Sequence, residues 1–350
     1  MLMKLTPKRT LAPLAVAVLT LAATATAGAT QKKSLGGSLT GAGSTFVFPL
    51  VSQWIPAYQS VAGATITYGS VGSGAGIAQI TARTVDFGAS DAPMTPDQAT
   101  ACNSCVQIPW AVSGTSVDYN VPGIPQHIKL TGAVVAQIYL GAISNWNDPA
   151  IAKLNPGVKF PDQKITPVYR SDGSGTTYNF TDYLSHISAT WSKQVGTSTT
   201  VSFPTGVGGK GNAGVAGVLS QTAGGIAYTD VAYAVTSHFQ TAMIQNSAGK
   251  FLLANNANIQ AAADTVTKVP ADNALSIVNP PKTAPAAYPI CTFTYVIVPT
   301  KSGNAPLLRQ FIFWALTSGQ KYGPPLRYMK IPKVVLVAAE KTLRHVQTGT

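Results

Sequence analysis

Glutamate is all but absent from this sequence. Glu340 is the only one, so chemistry that needs paired carboxylates must draw on scattered aspartates. Charge of both signs is scarce: Asp, Glu, Lys and Arg make up 10% of the 350 residues, against about a quarter in ordinary soluble domains. Histidines number four, His127, His186, His238 and His345, and none sits in an H-E-x-x-H arrangement. With three cysteines and no second C-x-x-C, zinc lacks a ligand set. No G-x-S-x-G nucleophile turn occurs either, and no segment after the first thirty or so residues is long and apolar enough to span a bilayer. Apolar residues, by contrast, reach 45%, which excludes an extended disordered chain and leaves material for about two domains.

The 24 Lys and Arg against 12 Asp and Glu give a formal charge of +12, but the basic residues are spread thinly. They form no dense cluster interleaved with aromatics, so no nucleic-acid partner is expected. Part of the excess lies at the N-terminus. Lys4, Lys8 and Arg9 precede an apolar run over 11–23, followed by small residues that fit cleavage after Ala27 or Ala29. That is the layout of a signal peptide over 1–29. Its removal takes the formal charge to +9, and export with cleavage places the mature chain in an oxidising compartment. Cys102 and Cys105 then read as a local disulfide, with a bridge to Cys291 left open.

The rest of the chain alternates short apolar strands with helices, joined by turns rich in Gly, Ser and Thr. This predicts an α/β architecture with largely parallel sheets. Strands are expected near 38–40, 64–68, 85–89 and 165–169. Helices are expected from about Ala75, over 132–139, and from the glycine loop after Arg170 to about Leu184. Pro56 is expected to kink or end the first helix. Residues 253–289 read as surface connection, and the late apolar segments 293–298 and 307–316 as a return to the first domain.

One unit recurs: a strand, a loop of small residues, then a helix start. It appears at Gly43-Ser44-Thr45, Gly72-Ser73-Gly74 and Gly173-Ser174-Gly175-Thr176. Unpaired backbone N–H groups and the positive end of the helix dipole make such places anion sites. In open α/β sheets they fall beyond the carboxyl ends of strands, where ligands bind. Arg170 at the lip of the third loop offers a planar fork for phosphate or carboxylate, and Asp172 can hold that fork. Asp91 is the odd member, because a carboxylate repels an anion. It makes sense if the anion carries a proton, since a carboxylate only accepts hydrogen bonds. Such a group selects hydrogen phosphate by rejecting unprotonated sulfate.

The segments Thr40-Gly41-Ala42-Gly43-Ser44-Thr45-Phe46, Val85-Asp86-Phe87-Gly88-Ala89-Ser90-Asp91-Ala92-Pro93 and Asp172-Gly173-Ser174-Gly175-Thr176 resemble those of PstS-type phosphate-binding proteins of the high-affinity phosphate ABC importer. So do Ile138-Tyr139-Leu140-Gly141, Trp146-Asn147-Asp148-Pro149 and Gly208-Gly209-Lys210-Gly211-Asn212, in the same order, over about 38–320. The resemblance implies the two-lobed type II periplasmic binding protein fold: two mixed sheets flanked by helices, with a hinge and an interdomain cleft. Lobe one would comprise 30–112 plus 289–350, and lobe two 113–288. It implies phosphate contacts at Thr45, the backbone N–H of Phe46, Ser73, Asp91, Arg170, Ser174, Gly175 and Thr176, with Asp172 orienting the arginine. It also implies a monomeric periplasmic receptor, without cofactor or metal, that delivers inorganic phosphate, as hydrogen phosphate or dihydrogen phosphate, to membrane permease subunits. The Gly206–Gly211 stretch is no nucleotide loop, because Gly211 replaces the Ser or Thr required after Lys210. A phosphatase using the same cleft would hold its product tightly and turn over slowly, so no enzyme is expected.

Overall fold

The computed structural model describes residues 36–349, and the expected signal peptide at 1–29 lies outside the described residues. Short runs of β-branched and small residues bounded by glycine form the first sheet. The strand Ser38–Gly43 lies between Thr65–Ser70 and Phe87–Ser90, parallel to both. Parallel neighbours need crossover connections, and Phe48–Ala62 and Ser73–Thr81 supply them as helices. The first buries Leu50, Val51, Trp54 and Tyr58, an apolar stripe at helical spacing. Pro56 does not end the helix, which runs on to Ala62. The proline is on the exposed face, where water can take the carbonyl bond that a proline cannot make.

The sheet is not largely parallel as expected. A 16-residue strand, Cys105–Asn120, runs through the middle of the molecule. Its first part pairs antiparallel with Cys291–Pro299, which in turn lies antiparallel on Phe87–Ser90. Its last part pairs antiparallel with Gly225–Asp230. The change of partner falls between Gly114, opposite Cys291, and Thr115, opposite Asp230. Beyond that point Thr166–Arg170 and Val207–Gly209 add in parallel. The result is two mixed half-sheets that share one long strand.

Helices cover both halves. Ala305–Leu316 brings Phe311 against Trp110, Phe87 and Tyr58. Gly175–Ile187 stacks Phe180 on Tyr228, with ring centroids 4.3 Å apart. Residues 253–289 are not merely surface connection: they contain the helix Asn256–Ala263, and Ile259, Leu275, Ile277 and Tyr288 are buried. Tyr288 donates its hydroxyl to the Thr115 carbonyl at 3.0 Å, tying this segment to the long strand where it changes partner. Cys102 and Cys105 form a disulfide, whereas Cys291 is a buried free thiol, so the bridge left open by the sequence is absent. Among the described residues no helix is long and apolar enough to cross a membrane.

Candidate functional site

Every strand of the two half-sheets that leads into a glycine-rich loop delivers it to one place. Thr45 follows Ser38–Gly43, Ser73 follows Thr65–Ser70, Asp91 follows Phe87–Ser90, and Arg170 closes Thr166–Arg170. Ser174 caps the helix Gly175–Ile187, its hydroxyl accepting the Thr177 N–H at 3.0 Å. Thr45, Ser73, Asp91, Arg170, Ser174 and Thr176 are all buried. The loops touch directly. Gly74 N–H donates to the Gly173 carbonyl at 2.9 Å, Gly175 N–H to Ser73 Oγ at 3.0 Å, and Asn212 N–H to Thr45 Oγ1 at 3.1 Å. Three helices, Ser73–Thr81, Gly175–Ile187 and Gly211–Gln221, therefore begin at the same spot with their positive ends converging.

Two glycines permit this approach. A Cβ on Gly175 would lie 2.6 Å from the Asp91 side chain, closer than such atoms come. Gly72 has φ of +96°, and a Cβ there would lie 2.4 Å from Asp172 Oδ2. Side chains at either position would hold the loops apart.

Arg170 and Asp172 meet as a two-pronged pair rather than as a solvated surface contact. Nε reaches Oδ1 at 2.8 Å and Nη2 reaches Oδ2 at 2.5 Å. Nη1 is left to donate to Thr176 Oγ1 at 3.3 Å. Burial pushes the Asp172 carboxyl up, but the hydrogen bonds and charge of Arg170, with the Gly211 N–H, outweigh it and hold the carboxyl below its ordinary range. Asp91 behaves the other way. Burial pushes its carboxyl up to about 6, despite hydrogen bonds from Ser44, Thr294 and Ser73 and the charge of Arg170. Ser44 Oγ donates to Asp91 Oδ1 at 2.5 Å.

These contacts link Thr45, Ser73, Asp91, Arg170, Gly175 and Thr176, with Asp172, but the Phe46 N–H is spent inside its own loop. The Phe46 N–H, expected to face the ligand, lies 3.0 Å from Ser44 Oγ, which also takes the Val47 N–H at 3.1 Å. Sequence reasoning passed over four further members. Ser44 organises the first loop. Asn212, fully buried, bonds both threonines. Tyr228 takes the Arg170 N–H at 3.1 Å and bonds Thr177 Oγ1 at 2.7 Å. Tyr233 donates to the Thr45 carbonyl at 3.2 Å. Ser44 and Asn212 had a signal, standing in the Gly43-Ser44-Thr45 loop and at the end of the Gly208–Asn212 motif; the two tyrosines had none.

Residues 23–318 match the model of the PBP superfamily domain. The phosphate-binding protein PstS of Xylella fastidiosa is 41% identical over 309 residues, covering 87% of this chain and 84% of that protein. The chain belongs to the PstS-type phosphate-binding proteins. Another PstS relative, from Pasteurella multocida, is 38% identical over 304 residues, covering 85% of this chain and 88% of its own length. The same fold appears in a solved phosphate-binding protein from Stenotrophomonas maltophilia. That structure superposes with a TM-score of 0.68 at 17% identity, over 87% of this chain and 93% of the other.

Proposed function

We propose that this chain is an exported solute-binding protein that captures inorganic phosphate in the cleft between its two lobes and delivers it to the permease of an ABC importer. The observation that carries the reading is the buried meeting of three helix starts with one neutralised arginine and one unneutralised carboxylate. A tetrahedral oxyanion at that point takes hydrogen bonds from the hydroxyls of Thr45, Ser174 and Thr176 and from Arg170; Ser73, whose proton goes to Asp91, and the N–H groups of Gly175 and Phe46, which go to Ser73 and Ser44, join them by turning to the anion. Asp172 spends most of the arginine's charge, so the anion is held chiefly by oriented dipoles. Asp91 then accepts a hydrogen bond through the proton that hydrogen phosphate carries and sulfate lacks.

The lobes would be 30–112 plus 289–350 and 113–288, hinged where Cys105–Asn120 changes partner and where the chain returns at Cys291. Closure over the anion creates the surface that a permease reads. The chain acts as a monomer in the periplasm and binds without catalysing, as befits relatives named for phosphate binding. Calorimetry of the purified chain tests this: phosphate should bind with one-to-one stoichiometry. Steady release of phosphate from a chromogenic ester, or no binding heat, would contradict it.

A further inference from the structure

Asn212 is buried out of contact with solvent and stands behind two of the site's hydroxyls. Its amide orientation is set by the Asp230 N–H, which donates to Oδ1 at 3.0 Å. A backbone N–H can only donate, so the oxygen must face it and the NH2 must face the opposite way. That NH2 donates one proton to Thr45 Oγ1 at 3.0 Å and the other to Thr176 Oγ1 at 3.1 Å. Each threonine oxygen receives a second donor as well. Thr45 takes the backbone N–H of Asn212 itself at 3.1 Å, and Thr176 takes Nη1 of Arg170 at 3.3 Å.

A hydroxyl has two lone pairs and one proton. With both lone pairs occupied, it can only donate. Among the described residues neither threonine donates to a protein acceptor, so both protons are left for a bound anion. We infer that Asn212 is a positioning residue that fixes Thr45 and Thr176 as obligate donors and so requires the anion oxygens facing them to be unprotonated. The inference rests on the phosphate reading above. It complements Asp91: one side of the site demands a proton on the anion and the other forbids it, so that a singly protonated, doubly charged phosphate fits best. The groups around Asn212 that carry or titrate charge are Arg170, Asp172, Asp91 and Asp230, with Tyr228 and Tyr233.

The test compares wild type with Asn212→Ala by phosphate calorimetry at about pH 8 and pH 6. Between these values the free anion gains its second proton, and the flanking charged groups are common to both proteins. At the higher pH the variant should bind roughly tenfold or more weakly, the loss expected for misdirected hydrogen bonds to a charged ligand. The ratio of affinity at pH 8 to that at pH 6 should shrink relative to wild type, because freed lone pairs can now accept from the extra proton. Equal weakening at both pH values, or affinity within threefold of wild type, overturns the inference. Neutron diffraction of the wild-type phosphate complex gives an answer that does not depend on the variant folding. The Thr45 and Thr176 deuterons should point at the anion, and deuterons directed at Asn212 overturn the inference. A wild-type protein that binds no phosphate would sink the underlying reading first, before any variant is compared.

Discussion

At the scale of single residues, the site works by contrast between two aspartates on either side of one arginine. Asp172 is held ionised and keeps the Arg170 fork in plane; Asp91 is buried without a cation bonded to it. Arg170→Ala should cost about 2–5 kcal/mol of oxyanion binding, because it removes a buried charge and strands its partner. Titration calorimetry with phosphate and arsenate checks this, and near-normal affinity for both would count against the arginine's role. Asp91→Asn should narrow the gap between phosphate and sulfate, since an amide can donate where a carboxylate only accepts. Competition binding reads the ratio, and an unchanged ratio contradicts the proton-sensing account. These residues were legible in the sequence because each closes a strand and opens a small-residue loop. Tyr228 and Tyr233 were not, since tyrosines on or beside a strand are ordinary until the fold brings them together; Ser44 stood in a recognised loop, but its bond to Asp91 needed the fold.

At the scale of elements, glycine is what lets the loops close on one another. Alanine favours helix, so Gly175→Ala leaves the helix Gly175–Ile187 intact in isolation. Its Cβ would nevertheless meet Asp91, and overpacking of that kind costs about 1–3 kcal/mol. Phosphate affinity should therefore fall by roughly tenfold to a hundredfold while the far-ultraviolet circular dichroism stays the same. Undiminished affinity would show that the two loops need not touch. The first strands and helices were readable from their periodicity. The Cys105–Asn120 strand was not, because it is buried on both faces and so lacks alternation. It also carries Pro109, Gly114 and Asp118, residues that usually mark turns. Pro56 misled in the opposite sense: a proline on an exposed helix face is tolerated, and sequence spacing alone did not say which way that face pointed.

At the scale of the whole molecule, the shortage of charge noted in the sequence becomes a dependence on pH. Burial pushes the carboxyls of Asp91 and Asp118 up to about 6 and that of Asp230 well above its ordinary range. The folded protein therefore binds more protons than the unfolded chain between about pH 4 and pH 6, and stability falls as pH rises through that window. Asp172, held below its ordinary range, acts in the opposite sense and only at more acid pH. The ligand-free protein should accordingly melt at a higher temperature at pH 5 than at pH 7, and Asp118→Asn should flatten that slope. A melting temperature that rises from pH 5 to pH 7 would contradict the assignment. Such buried, uncompensated carboxylates are costly in themselves, and in Asp91 the cost coincides with the group proposed to read a proton on the ligand. The most direct measurement of that claim is the ratio of phosphate to sulfate affinity for the wild-type protein near neutral pH. The account predicts saturable phosphate binding with no detectable sulfate binding at the same concentrations; comparable affinities for the two anions would contradict it.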